Sequence, residues 1–207
     1  MKTLGICIGI GDPWAKAAAY ACAAMRLHTG VECVLCDKIP QLPEGWNPSW
    51  GKAFLWDMVP QDVERLLVFD ADIVAIRPWS LPAPDDKFHA VREIYCDPTR
   101  RNELRAFGLR QYFNGGLFIC PRSLAPKLNS VREYGPCYGT WLEQTALNVV
   151  MAEVFRPLPA QLNWILEDNT SGLRGAMNVG AVNVHLAGIK DPAQLVKNMT
   201  DITRKTQ

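Results

Sequence analysis

The chain has 207 residues, of which 48% are hydrophobic and 21% charged, and its formal net charge is +1. These values are typical of one globular domain with a sizeable core, and they argue against a protein that binds nucleic acid by bulk electrostatics. The longest apolar stretch, Ala17–Met25, is too short to span a bilayer. Seven scattered cysteines favour a reducing compartment, so we expect a cytoplasmic location.

Apolar segments separated by Gly- and Pro-rich turns predict an α/β domain, with a mainly parallel central sheet and helices on both faces. We expect this domain over residues 1–199, followed by a polar C-terminal tail over residues 200–207. The predicted strands are Thr3–Ile10, Val31–Cys36, Leu66–Ile76, Phe88–Tyr95, Phe113–Cys120 and Val182–Leu186. The predicted helices are Trp14–His28, Trp50–Met58, Arg100–Phe107, Trp141–Phe155 and Pro192–Met199.

Two carboxylates, Asp70 and Asp72, interrupt the apolar run Leu66–Ile76. Charged groups in a buried strand are unfavourable unless a cation compensates them. Alternate residues of a strand share a face, so both carboxylates should point the same way, about 6–7 Å apart along the backbone. Two oxygen ligands in this arrangement could bind one divalent cation. The alternative is one Asp that caps a turn at the strand end and a second that pairs with an Arg.

Six short motifs follow one another along nearly the whole chain. They are Trp50-Gly-Lys52, Asp70-Ala71-Asp72, Tyr112-Phe-Asn114-Gly115-Gly, Trp141-Leu-Glu143-Gln144, Leu158-Pro-x-x-Leu-Asn163 and His185-Leu-Ala-Gly188-Ile-Lys190. In this order they resemble the motifs of glycosyltransferase family 8, the glycogenin and galactosyltransferase group. The resemblance implies a GT-A-like domain that transfers a hexose from a nucleoside diphosphate sugar to an acceptor, with retention of anomeric configuration.

The resemblance also implies which residues bind the ligands. Asp70, Asp72 and His185 would bind a divalent metal, and an imidazole beside carboxylates suits Mn²⁺ better than Mg²⁺. Glu143 and Gln144 would be the polar groups that stabilise the sugar cation. The nucleotide-sugar donor is expected to be a UDP-sugar. Its expected contacts are Gly9, Gly11, Asp12, Trp14, Lys52, Asp70, Ala71, Asn114, Gly115, Gly188 and Lys190.

Several of these residues have a structural interpretation beside the functional one. Asp12 could contact the base or ribose, or it could be a helix N-cap. Lys52 could be a point charge on the diphosphate, or part of a solvated helix face. Asn114 could bind sugar hydroxyls, or it could mark a β-bulge with the glycines that follow it. His185 could be a metal ligand or a core histidine.

Two positions depart from the family pattern. Glu143 stands where the family has Asp, and Lys190 comes one residue early. Glu143 with Gln144 could instead be an exposed pair on a helix, and Lys190 could merely neighbour a helix start. These departures favour, as an alternative function, a sugar-nucleotide-binding or carbohydrate-binding protein with a degenerate transferase site.

A second alternative is a haloacid dehalogenase-like phosphatase. In such an enzyme Asp70 would be the nucleophile and Asp72 the acid and base. That motif normally lies on the first strand of its domain, whereas a complete predicted strand, helix and strand precede it here. The order of elements therefore disfavours the phosphatase.

The sequence does not specify the acceptor, which could be a glycan, a lipid or a protein. Arginines are concentrated between two predicted strands and could favour an anionic acceptor, such as a phosphorylated lipid, a phosphoglycan or, less favoured, a nucleic acid. A solvated helix is the simpler interpretation of this segment. The arginines are Arg92, Arg100, Arg101, Arg105 and Arg110.

Overall fold

The computed structural model describes residues 1–93, 102, 104–137, 143–166, 176–178, 180–189 and 191–206. The strands in these residues form two sheets. In chain order the strands are β1 (Thr3–Ile8), β2 (Cys33–Cys36), β3 (Arg65–Asp70), β4 (Ile73–Ala75), β5 (Phe88–Arg92), β6 (Phe113–Pro121), β7 (Phe155–Leu158), β8 (Trp164–Ile165) and β9 (Asn183–His185).

The larger sheet has six strands in the order β2-β1-β3-β6-β5-β7. Among these described strands, β6 alone runs antiparallel to its neighbours. The smaller sheet has the order β4-β9-β8, in which β4 is antiparallel and β8 parallel to β9. The prediction of a mainly parallel central sheet is therefore confirmed.

Helices and 3-10 helices connect the strands. The α-helices of at least four residues in the described ranges are α1 (Asp12–Thr29), α2 (Leu55–Met58), α3 (Ala125–Ser130), α4 (Glu143–Met151) and α5 (Pro192–Thr206). The 3-10 helices are Pro48–Phe54, Arg122–Leu124, Val131–Cys137 and Ala160–Asn163. No helix of the described residues has the length and apolar character needed to cross a membrane.

Each face of the larger sheet carries its own hydrophobic core, because successive strand side chains point to opposite faces. Leu67 and Phe69 of β3 pack in one cluster with residues of α1 and α5. Leu66 and Val68 pack in a second cluster with residues of α2, α4 and Pro48–Phe54. Helices therefore cover both faces of the sheet, as predicted.

The predicted strand Leu66–Ile76 is wrong in one respect, because it is two strands rather than one. β3 ends at Asp70, residues 71 and 72 form a turn, and β4 then pairs with β9 in the smaller sheet. Apolar residues on both sides of the turn pack into the same core cluster, so the hydrophobic pattern continues where the backbone changes sheet. Asp70 and Asp72 thus lie at a junction between sheets.

Other elements differ from the prediction at their ends. The segment Trp50–Met58 is a 3-10 helix followed by α2. The closing helix does not stop at Met199 but continues to Thr206, since Ile202 is buried and threonine hydroxyls bond to carbonyls four residues earlier. The edge strand β7 was not predicted, because its proline obscures the strand pattern. Three predicted elements lie partly outside the described residues, which do not include Tyr95, Trp141 or residues 100, 101 and 103.

The side chain of Asn148 joins α4 to the start of β6. Its Oδ1 accepts from Phe113 N at 2.7 Å, and its Nδ2 donates to Phe113 O and Gln144 O, each at 2.9 Å. Asn148→Leu should lower the free energy of unfolding by about 2–4 kcal/mol, because two buried backbone groups would lose their partner.

Urea denaturation measures this loss. Asn198→Leu is the matched control, since Asn198 is a half-buried asparagine of α5 whose side chain accepts from Gln194 of the same helix. The control should change stability by less than about 0.5 kcal/mol. Equal stability of the two variants would show that Asn148 does not join the helix to the strand.

Candidate functional site

A cleft of about 430 Å³ opens at the carboxyl ends of β1 and β3. In open α/β sheets, ligands bind at this edge. The register of the parallel pair places Asp70 opposite Ile8, so the end of β3 meets the loop that follows β1. The lining residues are Ile8, Gly9, Ile10, Trp14, Asn47, Pro48, Ser49, Lys52, Asp70, Ala71 and Asp72.

Three potential metal ligands converge beside this cleft. Asp70, Asp72 and His185 each offer one ligand atom, and these atoms lie within 4.8 Å of one another. The smaller sheet brings His185 to the aspartates, because Ile73 pairs with His185 and Leu186 N donates to Asp72 O at 2.9 Å. The structure thus brings together residues that are more than 100 positions apart in the sequence.

Lys52 is buried, with 2% of its surface exposed, and its ammonium group has three partners. Nζ lies 2.7 Å from Asp70 Oδ1 and 2.7 Å from Glu143 Oε1, and it donates to Gly115 O at 3.0 Å. The interpretation of Lys52 as part of a solvated helix face is therefore wrong. Glu143 is also buried, so it is not an exposed residue of a helix surface either.

Burial and neighbouring charges both shift the pKa values of the groups in this cluster. Burial raises the pKa of Asp70 to about 6, and Asp72 and Glu143 add to this effect while Lys52 opposes it. Burial alone would raise the pKa of Asp72, but His185 outweighs burial and lowers it. Burial disfavours the charged imidazole, yet Asp72 and Asp70 outweigh burial and raise the pKa of His185.

Burial and neighbouring charges also act in opposite directions on the pKa of Lys52. Burial disfavours the ammonium, but the carboxylates of Asp70 and Glu143 together outweigh burial and raise the pKa of Lys52. Lys52 is therefore charged at neutral pH. It is the cation that compensates the carboxylate at the end of β3.

Gln144 is held against β6. Its Oε1 accepts from Gly115 N at 2.8 Å. Its Nε2 is buried, and no described residue accepts a hydrogen bond from it. Since a buried amide donor is unfavourable without an acceptor, this group is a candidate contact for a bound molecule.

Asn114 lies in β6 with 7% of its surface exposed, and its amide is bonded within the protein. Oδ1 accepts from Gly116 N and from Asn163 Nδ2, both at 2.8 Å. Nδ2 donates to Glu93 Oε2 at 3.2 Å. The predicted contact of Asn114 with sugar hydroxyls would have to use hydrogen-bonding capacity of its amide that these three partners do not occupy.

The loop after β1 contributes Gly9 to the cleft, and the first turn of α1 contributes Trp14. A Cβ at Gly9 would lie 2.6 Å from Trp14 O and 2.5 Å from Ala18 Cβ, so the absent side chain lets α1 pack against the end of β1. Gly11 is the cap residue of α1, and Asp12 is its first residue. The interpretation of Asp12 as the N-cap is therefore wrong, and no side chain caps this helix end.

The remaining predicted residues lie toward the chain end and in the arginine-rich segment. Gly188 is exposed in the turn after β9. Lys190 lies outside the described residues, as do Arg100 and Arg101. Arg92, Arg105 and Arg110 are exposed.

Two residues that contact predicted site residues were not predicted as part of the site. Asn163 Oδ1 lies 2.9 Å from His185 Nδ1, and Glu93 binds Asn114. Asn163 belongs to a motif that the sequence showed, although no ligand role followed from it. Glu93 follows a short strand and has no signal in the sequence that marks it as buried.

No family model and no curated protein matches the chain. The chain does match solved structures. Over its whole length the chain superposes on 52% of the bifunctional glycosyltransferase WbbM, with a TM-score of 0.71 and 11% identity, so it spans about half of that protein. It also matches a glycosyltransferase involved in glycosylation of the major capsid of PBCV-1, over 96% of this chain and 98% of that one, with a TM-score of 0.69 and 14% identity.

A third match is the galactosyltransferase LgtC in complex with donor and acceptor sugar analogues. It covers 100% of both chains, with a TM-score of 0.66 and 12% identity. These likenesses show the fold. The chain has the GT-A-like glycosyltransferase fold that its motifs predicted.

Lys52→Met tests the compensating role of the buried ammonium. We expect it to lower the free energy of unfolding by about 3–5 kcal/mol at pH 8, since the buried Glu143 and the half-buried Asp70 would lose their counter-charge. Without the ammonium, the pKa of Asp70, which burial already raises, would rise further above its unfolded value. The loss of stability should therefore grow as pH rises, and it should be smaller at pH 5, where Asp70 can bind a proton.

Urea denaturation of wild type and variant at the two pH values measures this difference. Lys16→Met is the matched control, because Lys16 is an exposed lysine of α1. It should change stability by less than about 0.5 kcal/mol at either pH. A loss for Lys52→Met that does not depend on pH would contradict the compensating role.

Proposed function

We propose that this chain is a glycosyltransferase that binds a nucleoside diphosphate sugar, expected to be a UDP-sugar, through a divalent metal ion. It transfers the hexose to an acceptor with retention of configuration. The observation that carries this proposal is the convergence of Asp70, Asp72 and His185 beside a cleft in a glycosyltransferase fold.

The donor set fits a divalent ion in chemistry and in charge. Two carboxylate oxygens and one imidazole nitrogen are ligands that Mn²⁺ accepts well. The cluster holds three carboxylates and one ammonium: Lys52 contacts Asp70 and Glu143, and His185 contacts Asp72. When His185 is neutral, this cluster carries two uncompensated negative charges, and one divalent cation balances them.

The bound ion would supply Lewis acid chemistry to the diphosphate as negative charge develops on it. Lys52 holds one oxygen of Asp70 and leaves the other oxygen for ligation. The same ammonium holds Glu143 beside Gly115, and Gln144 is anchored on the amide of Gly115. Gln144 Nε2 is then the buried donor that a sugar oxygen can satisfy.

The cleft also offers groups that suit the nucleotide. Trp14 and Ile10 offer apolar surface, and Asn47 and Ser49 offer polar groups. A half-buried indole can stack on a base. Mutation of Trp14 should therefore affect nucleotide affinity more than it affects metal affinity.

The alternative functions differ in what they require. A binding protein with a degenerate site would bind the donor without turnover, and the pairing of Glu143 with Lys52 is the observation that favours it. The matched structures described above are glycosyltransferases, so they favour the transferase over the phosphatase.

The double substitution Asp70→Asn with Asp72→Asn tests metal dependence. Hydrolysis of a UDP-sugar or transfer to a glycan pool should need Mn²⁺ and should fall at least about 100-fold in this variant, because two anionic ligands are lost. Calorimetry should show that Mn²⁺ strengthens UDP binding in wild type but not in the variant. Asp86→Asn, at an exposed carboxylate outside the cleft, is the matched control.

The outcomes separate the three functions. Full turnover in excess chelator would exclude the metal role. Tight donor binding without hydrolysis or transfer would support the binding protein. Hydrolysis of a simple phosphate ester that Asp70→Asn abolishes would support the phosphatase.

Metal affinity should depend on pH. The ion binds the carboxylate of Asp70 and the neutral ring of His185, whereas the raised pKa values of both groups keep their protons bound at higher pH than usual. Binding must then release protons, so affinity falls as pH falls. Between pH 7.5 and 5.5 we expect the affinity for Mn²⁺ to fall by about tenfold or more.

Electron paramagnetic resonance of free Mn²⁺ measures this affinity without nucleotide, whose phosphate also titrates. Calorimetry in two buffers of different ionisation enthalpy counts the protons released, and at least about one per ion is expected at pH 6. An affinity that does not change over this range would show that neither Asp70 nor His185 binds the ion.

A further inference from the structure

Four buried polar side chains form a hydrogen-bonded series that ends at the candidate metal centre. Glu93, Asn114, Asn163 and His185 are exposed by 6%, 7%, 4% and 5%. Asn114 Nδ2 lies 3.2 Å from Glu93 Oε2, Asn163 Nδ2 lies 2.8 Å from Asn114 Oδ1, and His185 Nδ1 lies 2.9 Å from Asn163 Oδ1. Buried polar groups bonded in this way restrict each other's orientation.

The direction of every bond in the series follows from one backbone group. Gly116 N–H can only donate, and it lies 2.8 Å from the amide of Asn114, so the atom that faces it is the oxygen Oδ1. Asn163 must then present its NH₂ group to the same oxygen. Its own oxygen consequently faces His185 Nδ1, and that nitrogen must carry a proton.

A neutral imidazole carries one N–H, so a proton on Nδ1 leaves Nε2 with a free lone pair. Nε2 is the nitrogen on the side of the aspartates, 3.3 Å from Asp72 Oδ1. Metal-binding histidines commonly donate their second ring N–H to an oxygen in this manner, which orients the ring and fixes its tautomer.

The absence of a side chain at Gly116 makes this arrangement possible. A Cβ there would lie 2.6 Å from His185 Cε1, 2.8 Å from Asn114 Oδ1 and 3.2 Å from His185 Nδ1. Such distances exclude any side chain unless the ring and the amide move. The neighbouring Gly115 differs, because a Cβ there would meet Gln144 at the ordinary distance of 3.5 Å.

We propose that Asn163, oriented by Asn114 and Glu93, is a positioning residue that holds neutral His185 in the Nδ1-protonated tautomer and thereby presents Nε2 to the metal. This role rests on the proposed function, which supplies the metal. It also assigns Asn114 to the support of His185, in addition to any contact that it makes with a sugar.

The tautomer can be read directly in the metal-free protein. Long-range ¹H–¹⁵N correlation at a pH where the ring is neutral distinguishes a protonated from an unprotonated imidazole nitrogen. The chain has three histidines, so His185→Gln assigns the signal. Wild type should show Nδ1–H with Nε2 unprotonated, and the opposite tautomer in wild type would overturn the proposal without any further variant.

Affinity for Mn²⁺ alone is the second measurement. Asn163→Ala should lose about 10–100-fold in affinity and should populate both tautomers, because the acceptor of the Nδ1 proton is gone. Asn163→Asp keeps an oxygen acceptor for the Nδ1 proton but loses the N–H that Asn114 Oδ1 accepts, so it should keep the wild-type tautomer and lose less affinity than Asn163→Ala. Asn183→Ala is the matched control, since Asn183 is a buried asparagine of the same strand as His185 that donates to Leu162 O.

The outcomes discriminate between a positioning role and a structural one. If Asn163→Ala and Asn183→Ala weaken Mn²⁺ equally, or if Asn163→Ala leaves tautomer and affinity unchanged, the positioning role is overturned. If Asn163→Ala does not fold, the tautomer of wild type and the Mn²⁺ affinity of Asn163→Asp still test the positioning role. If wild type binds no Mn²⁺, the positioning role is overturned. If wild type binds Mn²⁺ and the variants behave as expected but no sugar is transferred, the positioning role is supported and the proposed function is contradicted.

Discussion

The site depends on one buried ammonium group placed between two carboxylates. Lys52 comes from a 3-10 helix, Asp70 from the end of β3, Glu143 from the start of α4, and the carbonyl of Gly115 from β6. Glu143 is buried and Asp70 is half-buried, so either carboxylate would be unfavourable without a nearby cation. Their common cation makes it favourable for the two carboxylates to lie close together. Charge compensation, together with apolar packing, therefore determines how α4 lies against β6.

The fold was predictable from the sequence to the extent that it follows from local patterns. Apolar alternation with turn residues predicted most strands of the larger sheet and the helices on both its faces. The same patterns could not predict the break after Asp70, because the residues of β4 are as apolar as those of β3 and the change is one of hydrogen-bond partner. Hydrophobicity reports burial, and it does not report which strand a segment pairs with.

The residues of the candidate site were identified by motif, but their contacts were not. Lys52 and Glu143 are 91 positions apart, and nothing local to either residue indicates that the two side chains meet. Asn163 lay in a recognised motif, yet its contact with His185 exists because the 3-10 helix Ala160–Asn163 lies against β9. Such pairings are consequences of topology, which a single sequence specifies only through the complete fold.

The position of the candidate metal centre links ligand binding to the smaller sheet. Asp70 ends a strand of the larger sheet, His185 belongs to the smaller one, and residues 71 and 72 connect them. The strands of the smaller sheet have only two or three residues each, so their own hydrogen bonds contribute little. A ligand bound by all three side chains stabilises the state in which β9 is paired, by an amount that grows with the logarithm of ligand concentration over Kd. Binding therefore adds stability at the part of the fold where intrinsic pairing is weakest.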